Sequence, residues 1–152
     1  MNSPGSKPEL IMREIEPDDA EAVSALIREL GYERSPQQVL AWIENRGSCS
    51  EQAAFVACLG GEVVGWIEVS IERRLQNAPF ALIGGLVVRK GVRGHGVGRK
   101  LCHRAEAWSW ERSMEKVRVT SRSTRVDAHR FYASDGYETV KTSLVFEKRP
   151  PG

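Results

Sequence analysis

The sequence is poor in the features that mark exported, membrane-spanning and metal-binding proteins. Its 152 residues include three cysteines, Cys49, Cys58 and Cys102, an odd number without a CxxC pair or a Cys/His metal spacing, which argues against a disulfide framework. The longest apolar runs are far too short to cross a bilayer, and the amino-terminal residues lack the basic start and apolar stretch of a signal peptide. We therefore expect a cytoplasmic protein with reduced thiols, no membrane span and no bound metal.

Acidic residues are absent from one continuous stretch, residues 73–105. The whole chain has a formal net charge of only +2, which argues against nucleic-acid binding, as does the lack of interleaved aromatic residues. Eight positive charges fall inside the stretch, whereas the rest of the chain carries a net charge of −6. The eight are Arg73, Arg74, Arg89, Lys90, Arg93, Arg99, Lys100 and Arg104. This local positive field predicts a compact polyanionic ligand, with a cationic second ligand near the acidic part of the chain.

The composition is typical of a globular protein with one hydrophobic core. Hydrophobic residues make up 41% of the chain and charged residues 28%, and the length suits one domain. We predict a single domain over residues 10–149, with a flexible leader over residues 1–9 and a short tail over residues 150–152.

Hydrophobic periodicity predicts a mixed order of strands and helices. The predicted elements are a strand (10–15), two helices (17–30 and 36–46), three strands (54–59, 62–72 and 80–88), a helix (97–114), a strand (116–121), a helix (125–135) and two closing strands (137–148, divided near 142–143). A loop over residues 73–79 is expected between the second and third of the consecutive strands. With the first two helices, this loop is expected to form the pocket for a second ligand.

Three local signals support this order of elements. Ser35 is placed to cap the second helix, with Pro36 at its first position. The Gly60-Gly61 pair favours a hairpin because glycine accepts a positive φ at both turn positions. One apolar stripe runs along the third helix at helical spacing, formed by Val97, Leu101, Ala105 and Trp108.

Residues 88–101, VRKGVRGHGVGRKL, place four glycines and five basic residues between a strand and a helix. Backbone N–H groups at a helix start form an anion site that glycines leave accessible. The spacing does not match a Walker A loop, because Lys100 is followed by Leu101, and it does not match the GxGxxG fingerprint of dinucleotide sites. A phosphate cradle is the favoured interpretation, and an ordinary tight turn is the alternative.

The pattern R-x-x-G-x-G, formed by Arg93, Gly96 and Gly98, is followed some thirty residues later by AHRFYASDGYE. Together these motifs resemble the GNAT superfamily of acyl-CoA-dependent N-acyltransferases, over residues 10–148. The resemblance implies an α/β (α+β) fold: a mixed, mostly antiparallel sheet of about seven strands, splayed between strands 4 and 5 and flanked by about four helices.

The same resemblance implies acetyl-CoA as the cosubstrate. In this family the gap between the splayed strands holds the pantetheine arm, and the amides of the glycine-rich turn cradle the pyrophosphate. The implied cofactor-binding residues are Leu86, Val87, Val88, Arg93, Gly94, His95, Gly96, Val97, Gly98 and Arg99. For His95, a solvent-facing loop residue is an equally good interpretation.

Direct transfer of an acetyl group from a thioester to an amine requires a base, an oxyanion donor and a proton for the leaving thiolate. The resemblance implies Tyr132 as the general acid, with a packing tyrosine beside Phe131 as the alternative. A backbone N–H near Leu86 or Val87 is implied as the oxyanion donor.

The general base is less clear from the sequence. Glu68 shares a strand face with Trp66, so it is the candidate base, and a solvated strand carboxylate is an equal alternative. The fourth strand carries Gly84 and Gly85 where some relatives place a glutamate, which favours a base that acts through water.

These observations lead to two hypotheses. The first is an acetyl-CoA-dependent N-acetyltransferase that acts by direct attack in a ternary complex on a primary amine of a small cationic molecule or peptide. The second is a non-catalytic module that binds or senses CoA, which the missing glutamate favours and Tyr132 disfavours. The identity of the amine and the oligomeric state, including a homodimer, are left open.

Overall fold

One sheet of five strands, with four α-helices, is formed by the residues that the structure describes. The structure is a computed structural model that describes residues 8–46, 49–92, 95–121 and 125–152. The strands are β1 (Leu10–Glu14), β2 (Gln52–Leu59), β3 (Glu62–Arg74), β4 (Asn77–Val88) and β5 (Val117–Val119). The helices are α1 (Ala20–Glu29), α2 (Pro36–Arg46), α3 (Val97–Glu111) and α4 (Val126–Ser134), and a 3₁₀ turn at Pro17–Asp19 leads into α1. The four predicted helices and the first five predicted strands are therefore present in the predicted order.

The strands lie side by side in chain order. Strands β1 to β4 pair antiparallel and β5 joins β4 in parallel, so the sheet is mixed and mostly antiparallel, as predicted. The parallel ladder covers only residues 81–83 of β4. Among the described residues, β5 has no pairing with β4 beyond residue 83, and the predicted splay between the two strands stays a prediction.

Two tight hairpins connect β2, β3 and β4. At the first, Gly60 and Gly61 have φ angles of +59° and +86°, which confirms the predicted glycine turn. The second corrects the predicted loop over residues 73–79, because β3 and β4 run on to Arg74 and Asn77 and leave only residues 75 and 76 as a turn. The polar ends of these strands lack the apolar alternation on which the sequence prediction depended.

Helices α1 and α2 cover one face of the sheet. Val23, Val39 and Ile43 of these helices are at most 6% exposed, and they pack in one cluster with Ala54 and Val56 of β2. Since alternate strand residues point to opposite faces, the other residues of β2 face away from this layer.

Polar anchors fix the starts of both helices. Asp19 is 4% exposed and accepts hydrogen bonds from the backbone N–H of Glu16 at 2.8 Å and from Arg13 at 2.7 and 2.8 Å. Burial alone would raise the pKa of Asp19, but these hydrogen bonds hold it below its usual value. At α2, Ser35 and Gln38 exchange side-chain and backbone hydrogen bonds of 2.9 and 3.1 Å, which confirms the predicted cap.

Helix α3 covers the opposite face of the sheet. The predicted apolar stripe is confirmed, because its four residues are at most 5% exposed. Arg104 lies 4.3 Å from the ring centroid of Phe55 on β2. The helix approaches β3 closely at Gly65, where a Cβ atom would lie 3.1 Å from Leu101 and 3.3 Å from Val97. A larger residue at position 65 would separate the helix from the sheet.

The chain divides into two compact units, Met1–Val119 and Thr120–Gly152. The second unit contains α4, and its residues 137–152 have no regular secondary structure. The predicted sheet of about seven strands is therefore not confirmed, because the two closing strands are missing from residues 137–148. A strand needs a hydrogen-bonded partner and a covered face, whereas Val140, Leu144 and Phe146 are 73%, 80% and 86% exposed.

The described residues contain no helix that is long and apolar enough to cross a membrane. In the same residues, no three His, Cys, Asp or Glu side chains come together in a way that would hold a metal ion. All three cysteines are free thiols; Cys49 is exposed, and Cys58 and Cys102 are buried.

Candidate active site

The glycine-rich turn leads directly into the amino terminus of α3. Gly96 is the N-cap residue and has a φ angle of +70°, and no side chain of the described residues caps the helix. The first intrahelical bond runs from the N–H of Lys100 to the carbonyl of Gly96 at 3.0 Å, so the amides of Val97 and Gly98, which precede it, have no partner within the helix. The first turn carries no acidic residue. This helix end therefore suits an anion.

The predicted cradle is described only in part. Arg93 and Gly94 lie outside the described residues. His95 and Arg99 are exposed, whereas the Val97 side chain is 2% exposed and packs into the core. At this turn, Val97 and its neighbours would therefore bind a ligand through their backbone N–H groups.

Strand β4 offers a second set of backbone groups. Leu86, Val87 and Val88 pair with β3 on one side, and among the described residues no β5 partner lies on the other side beyond residue 83. In an antiparallel pair, alternate residues direct their N–H and C=O groups away from the partner strand. This open edge suits an extended ligand that carries amides.

Several basic residues of the predicted positive field make contacts within the protein. Arg73 forms an ion pair with Glu51 at 2.7 Å, and Arg89 with Glu62 at 3.3 Å. Arg74 and Arg104 stack on phenylalanine rings. At least four of the eight basic residues therefore contact other groups of the protein, so the helix-end amides are an important part of the predicted anion site.

A cavity lies between the α1–α2 layer and the sheet. Its volume is about 130 Å³, which is below the roughly 300–1,000 Å³ of pockets for drug-sized ligands. The lining is mostly apolar, with two tryptophans and two charged residues of opposite sign. The lining residues are Ile15, Val23, Ile27, Arg34, Val39, Trp42, Ala54, Trp66 and Glu68. Residues of α1 and α2 line this cavity and residues 73–79 do not; that the cavity holds a second ligand stays a prediction.

Glu68 brings a half-buried carboxylate into this cavity from β3. Burial raises the pKa of Glu68 above its usual value, because the charged form loses hydration. The register pairs Glu68 with Gly85 and then Val69 with Ile83, so Gly84 is the extra residue of a β-bulge. A Cβ atom at Gly84 would lie only 2.6 Å from Oε1 of Glu68. The carboxylate therefore occupies the space of a side chain on β4.

Trp66 fills the neighbouring space in a similar way. A Cβ atom at Gly85 would lie 2.6 Å from the Trp66 ring, and the indole Nε1 is buried without a hydrogen-bond partner among the described residues. The sequence grouped Trp66 with Glu68 on one strand face, but it did not reveal that the two glycines make room for both side chains. It also missed Arg34, which lies in a connection without a motif.

Tyr132 lies on α4, in the second unit. Its ring contacts Phe131 edge-on at 5.2 Å between centroids and Tyr137 at 5.7 Å. The backbone N–H of Tyr137 donates to the Tyr132 carbonyl at 2.9 Å, so Tyr137 packs against the end of the helix. The catalytic role of Tyr132 stays a prediction.

Comparison with known proteins identifies the family. Residues 12–137 match the family model described as Acetyltransferase (GNAT) family. The aminoglycoside N(6′)-acetyltransferase type 1 of Stenotrophomonas maltophilia is 29% identical over 140 residues, which cover 89% of this chain and 90% of that protein. The aminoalkylphosphonate N-acetyltransferase of Salmonella typhimurium is 34% identical over 84 residues, or 55% of this chain and 54% of that protein.

A solved structure of the aminoglycoside N-acetyltransferase AAC(6′)-Iy in complex with CoA has the same fold. It superposes with a TM-score of 0.85 at 17% identity, and the match covers 97% of this chain and 99% of that one. At this level of identity the likeness concerns the fold.

Proposed function

The chain belongs to the GNAT acetyltransferase family, and from this premise we propose that it transfers an acetyl group from acetyl-CoA to a primary amine of a small cationic molecule or peptide. The observation that carries the proposal is the half-buried Glu68 carboxylate, which lies against Gly84 of β4 and lines the cavity beneath α1 and α2. A carboxylate with a raised pKa is a better proton acceptor near neutral pH than an exposed one.

We place acetyl-CoA along β4 and at the start of α3. The uncapped amides at Gly96 and the following residues bind the pyrophosphate, and the open edge of Leu86, Val87 and Val88 pairs with the amides of the pantetheine arm. AAC(6′)-Iy, which has the same fold, binds CoA. Both features depend on the backbone, so they do not require all eight basic side chains to be available to the ligand.

In the proposed mechanism Glu68 removes the proton that the amine must lose before or during attack, directly or through a water molecule. The neutral amine nitrogen forms a bond to the thioester carbonyl carbon, the C–S bond breaks, and the products are an N-acetylated amine and CoA. A backbone N–H near Leu86 or Val87 donates to the carbonyl oxygen while it carries negative charge.

The proton for the departing CoA thiolate is assigned to Tyr132. This assignment depends on the resemblance of residues 128–138 to the family motif, so it needs its own test. Tyr132→Phe removes one hydroxyl and keeps the ring, so turnover is expected to fall about 10²-fold, the lower end for a general acid. Acetyl-CoA affinity should be retained. Tyr137→Phe is the matched control, and an equal loss in both variants would remove Tyr132 from the mechanism.

The proposal as a whole is tested by acetyl-CoA consumption, measured as free thiol, with a panel of primary amines. Glu68→Gln keeps the shape of the side chain and abolishes its basicity, so turnover should fall by about 10²- to 10⁴-fold. Glu72→Gln, on the same strand but outside the cavity lining, should retain turnover.

The pH profile gives a second measurement. Turnover should rise as the pH rises through the raised pKa of Glu68, and this limb should vanish in Glu68→Gln. Absence of thiol release with every amine, in a protein that binds acetyl-CoA, would instead favour the non-catalytic module.

A further inference from the structure

The six-membered ring of the Trp66 indole lies directly over Gly85 of β4. A Cβ atom at Gly85 would stand 2.6 Å from Cη2, 2.9 Å from Cζ3 and 3.8 Å from Cζ2 of this ring. Trp66 is paired with Val87 in the β3–β4 register, so its side chain leans along β4 to cover the glycine two residues away. Any group that approaches Gly85 from the face covered by α1 and α2, where Trp66 packs, therefore meets the indole.

Hydrogen bonding within the protein does not explain why residue 66 is a tryptophan. The indole Nε1 is buried and has no hydrogen-bond partner among the described residues. A buried donor without an acceptor costs free energy, and a phenylalanine at this position would avoid that cost. What the tryptophan adds is length, which places the far edge of its ring over Gly85.

The hydrogen bonds of β4 show which amide is open to the thioester. The N–H of Arg89 donates to the carbonyl of Val64 at 2.7 Å, and the register has no shift between this pair and Leu86. Because the bonds of an antiparallel pair alternate, the N–H of Val87 also faces β3, whereas that of Leu86 faces the open edge of β4. Of the two candidate oxyanion donors, Leu86 is therefore the better placed, and its N–H belongs to the peptide that joins it to Gly85.

This donor fixes the direction of the acyl chain. The oxygen, the sulfur and the alkyl group of a thioester lie in one plane around the carbonyl carbon. With the oxygen at the Leu86 N–H and the sulfur toward Val88, the alkyl group points along β4 toward Gly85 and the indole above it. The Glu68 carboxylate covers the residue beyond, Gly84. Each added methylene group would thus extend the chain into space that the protein already fills.

We propose that Trp66 is a specificity-determining residue that restricts the transferred acyl group to acetyl. This inference rests on the proposed function, because it takes the position of the thioester along β4 from it. One methylene group too many in a hydrophobic pocket lowers kcat/KM by about 10- to 200-fold. We therefore expect a loss of at least about 10-fold from acetyl-CoA to propionyl-CoA, and a further loss with butyryl-CoA.

The test measures the affinity for CoA, acetyl-CoA, propionyl-CoA and butyryl-CoA by calorimetry without an amine, and then thiol release with the amine that gives the highest turnover. Trp66→Ala should raise the ratio of butyryl-CoA to acetyl-CoA, in affinity and in kcat/KM, by about 10-fold or more. Trp66→Phe withdraws only the far edge of the ring and should give a smaller change in the same direction. Binding of CoA, which has no acyl group, reports whether each variant is folded.

Two controls separate this role from a general enlargement of the cavity. Trp42→Phe shortens the other tryptophan that lines the cavity, but Trp42 lies on α2, so the acyl preference should stay that of the wild type. Gly85→Ala in the Trp66→Ala background places a methyl group where the ring had been, and it should restore part of the preference for acetyl-CoA. The φ of Gly85 is outside the left-handed region, so alanine is accepted there.

Equal affinity and turnover for acetyl-CoA and butyryl-CoA in the wild type would overturn this inference and leave the acetyltransferase proposal standing. An unchanged preference in both Trp66 variants, or the same change in Trp42→Phe, would do so too. A preference for acetyl-CoA in binding that depends on Trp66, without thiol release with any amine, would support the inference and overturn the proposed catalysis. Absence of binding to all four ligands would overturn both.

Discussion

Gly84→Ala adds one methyl group at the point where the Glu68 carboxylate lies against β4. The new Cβ would stand 2.6 Å from Oε1 of Glu68, whereas ordinary contact begins at 3.4 Å. The carboxylate must therefore move by at least about 0.8 Å, the difference between these two distances. It can do so by rotation, because it is the far end of a flexible side chain.

This displacement should affect catalysis more than stability. A proton acceptor works within about 2.6–3.2 Å of its donor, and an error of about 1 Å in placement can lower the rate about 10²-fold. We expect kcat to fall by about 10- to 100-fold. The φ of Gly84 is outside the left-handed region, so the free energy of unfolding should change by less than about 1 kcal/mol.

The assay combines thiol release, acetyl-CoA affinity and urea unfolding, and the decisive comparison is the double variant. If the methyl group acts by moving the carboxylate, Gly84→Ala should have little further effect in a Glu68→Gln background. Wild-type turnover in Gly84→Ala, or an equal loss in both backgrounds, would refute the placement of Glu68 as the base.

Three further results are expected. Gly96→Ala should weaken acetyl-CoA binding about 10-fold or more, whereas Gly61→Ala, with φ also positive and open space around it, should cost similar stability in a thermal melt and leave binding intact. Glu68→Gln should raise the melting temperature more at pH 8 than at pH 4. Because the pKa of Glu68 is raised in the folded protein, the free energy of unfolding of the wild type decreases as the pH rises through that pKa. Equal gains at both pH values would contradict this. Arg13→Ala should lower the free energy of unfolding by about 1.5–3 kcal/mol. Acid unfolding of this variant should also begin at a higher pH than in the wild type. In the wild type, ionised Asp19 stabilises the fold above its lowered pKa, and this stabilisation is lost as the pH falls through that pKa.

Local signals predicted most of the fold. The Gly60-Gly61 turn, the Ser35 cap and the apolar stripe of α3 each depend on residues close together in the chain, and all three are confirmed. The two closing strands would also need a partner strand, and the alternation of apolar and polar residues gives no information about such a partner. Residues 137–148 alternate well enough to read as strands, yet their apolar side chains are exposed in the structure.

The sequence predicts the part of the candidate site that is formed by the backbone of the glycine-rich turn. It is less informative about the cavity, which is formed by side chains that are far apart in the chain. Glycines between a strand and a helix indicate an anion site by themselves, since the amides of Gly96 and its neighbours need no other element. The cavity is different, because its lining comes from both amino-terminal helices, their connection, the residue that follows β1 and two strands, β2 and β3. Arg34 has no motif around it, and only the packing of α1 and α2 brings it to the same cavity as Glu68.

The glycines of β4 show that the sequence of one strand is not enough to find a candidate catalytic group. When only the sequence of β4 is considered, Gly84 and Gly85 suggest that the site has no carboxylate. Paired strands share their surface, however, and a residue on one can reach the space above its neighbour when the neighbour has no side chain. The register places Glu68 opposite Gly85, and the bulge at Gly84 opens the space that its carboxylate fills. The absence of a side chain at Gly84 is therefore the condition under which the Glu68 carboxylate of β3 can lie above β4, and in the proposed mechanism the catalytic unit is this pair of positions.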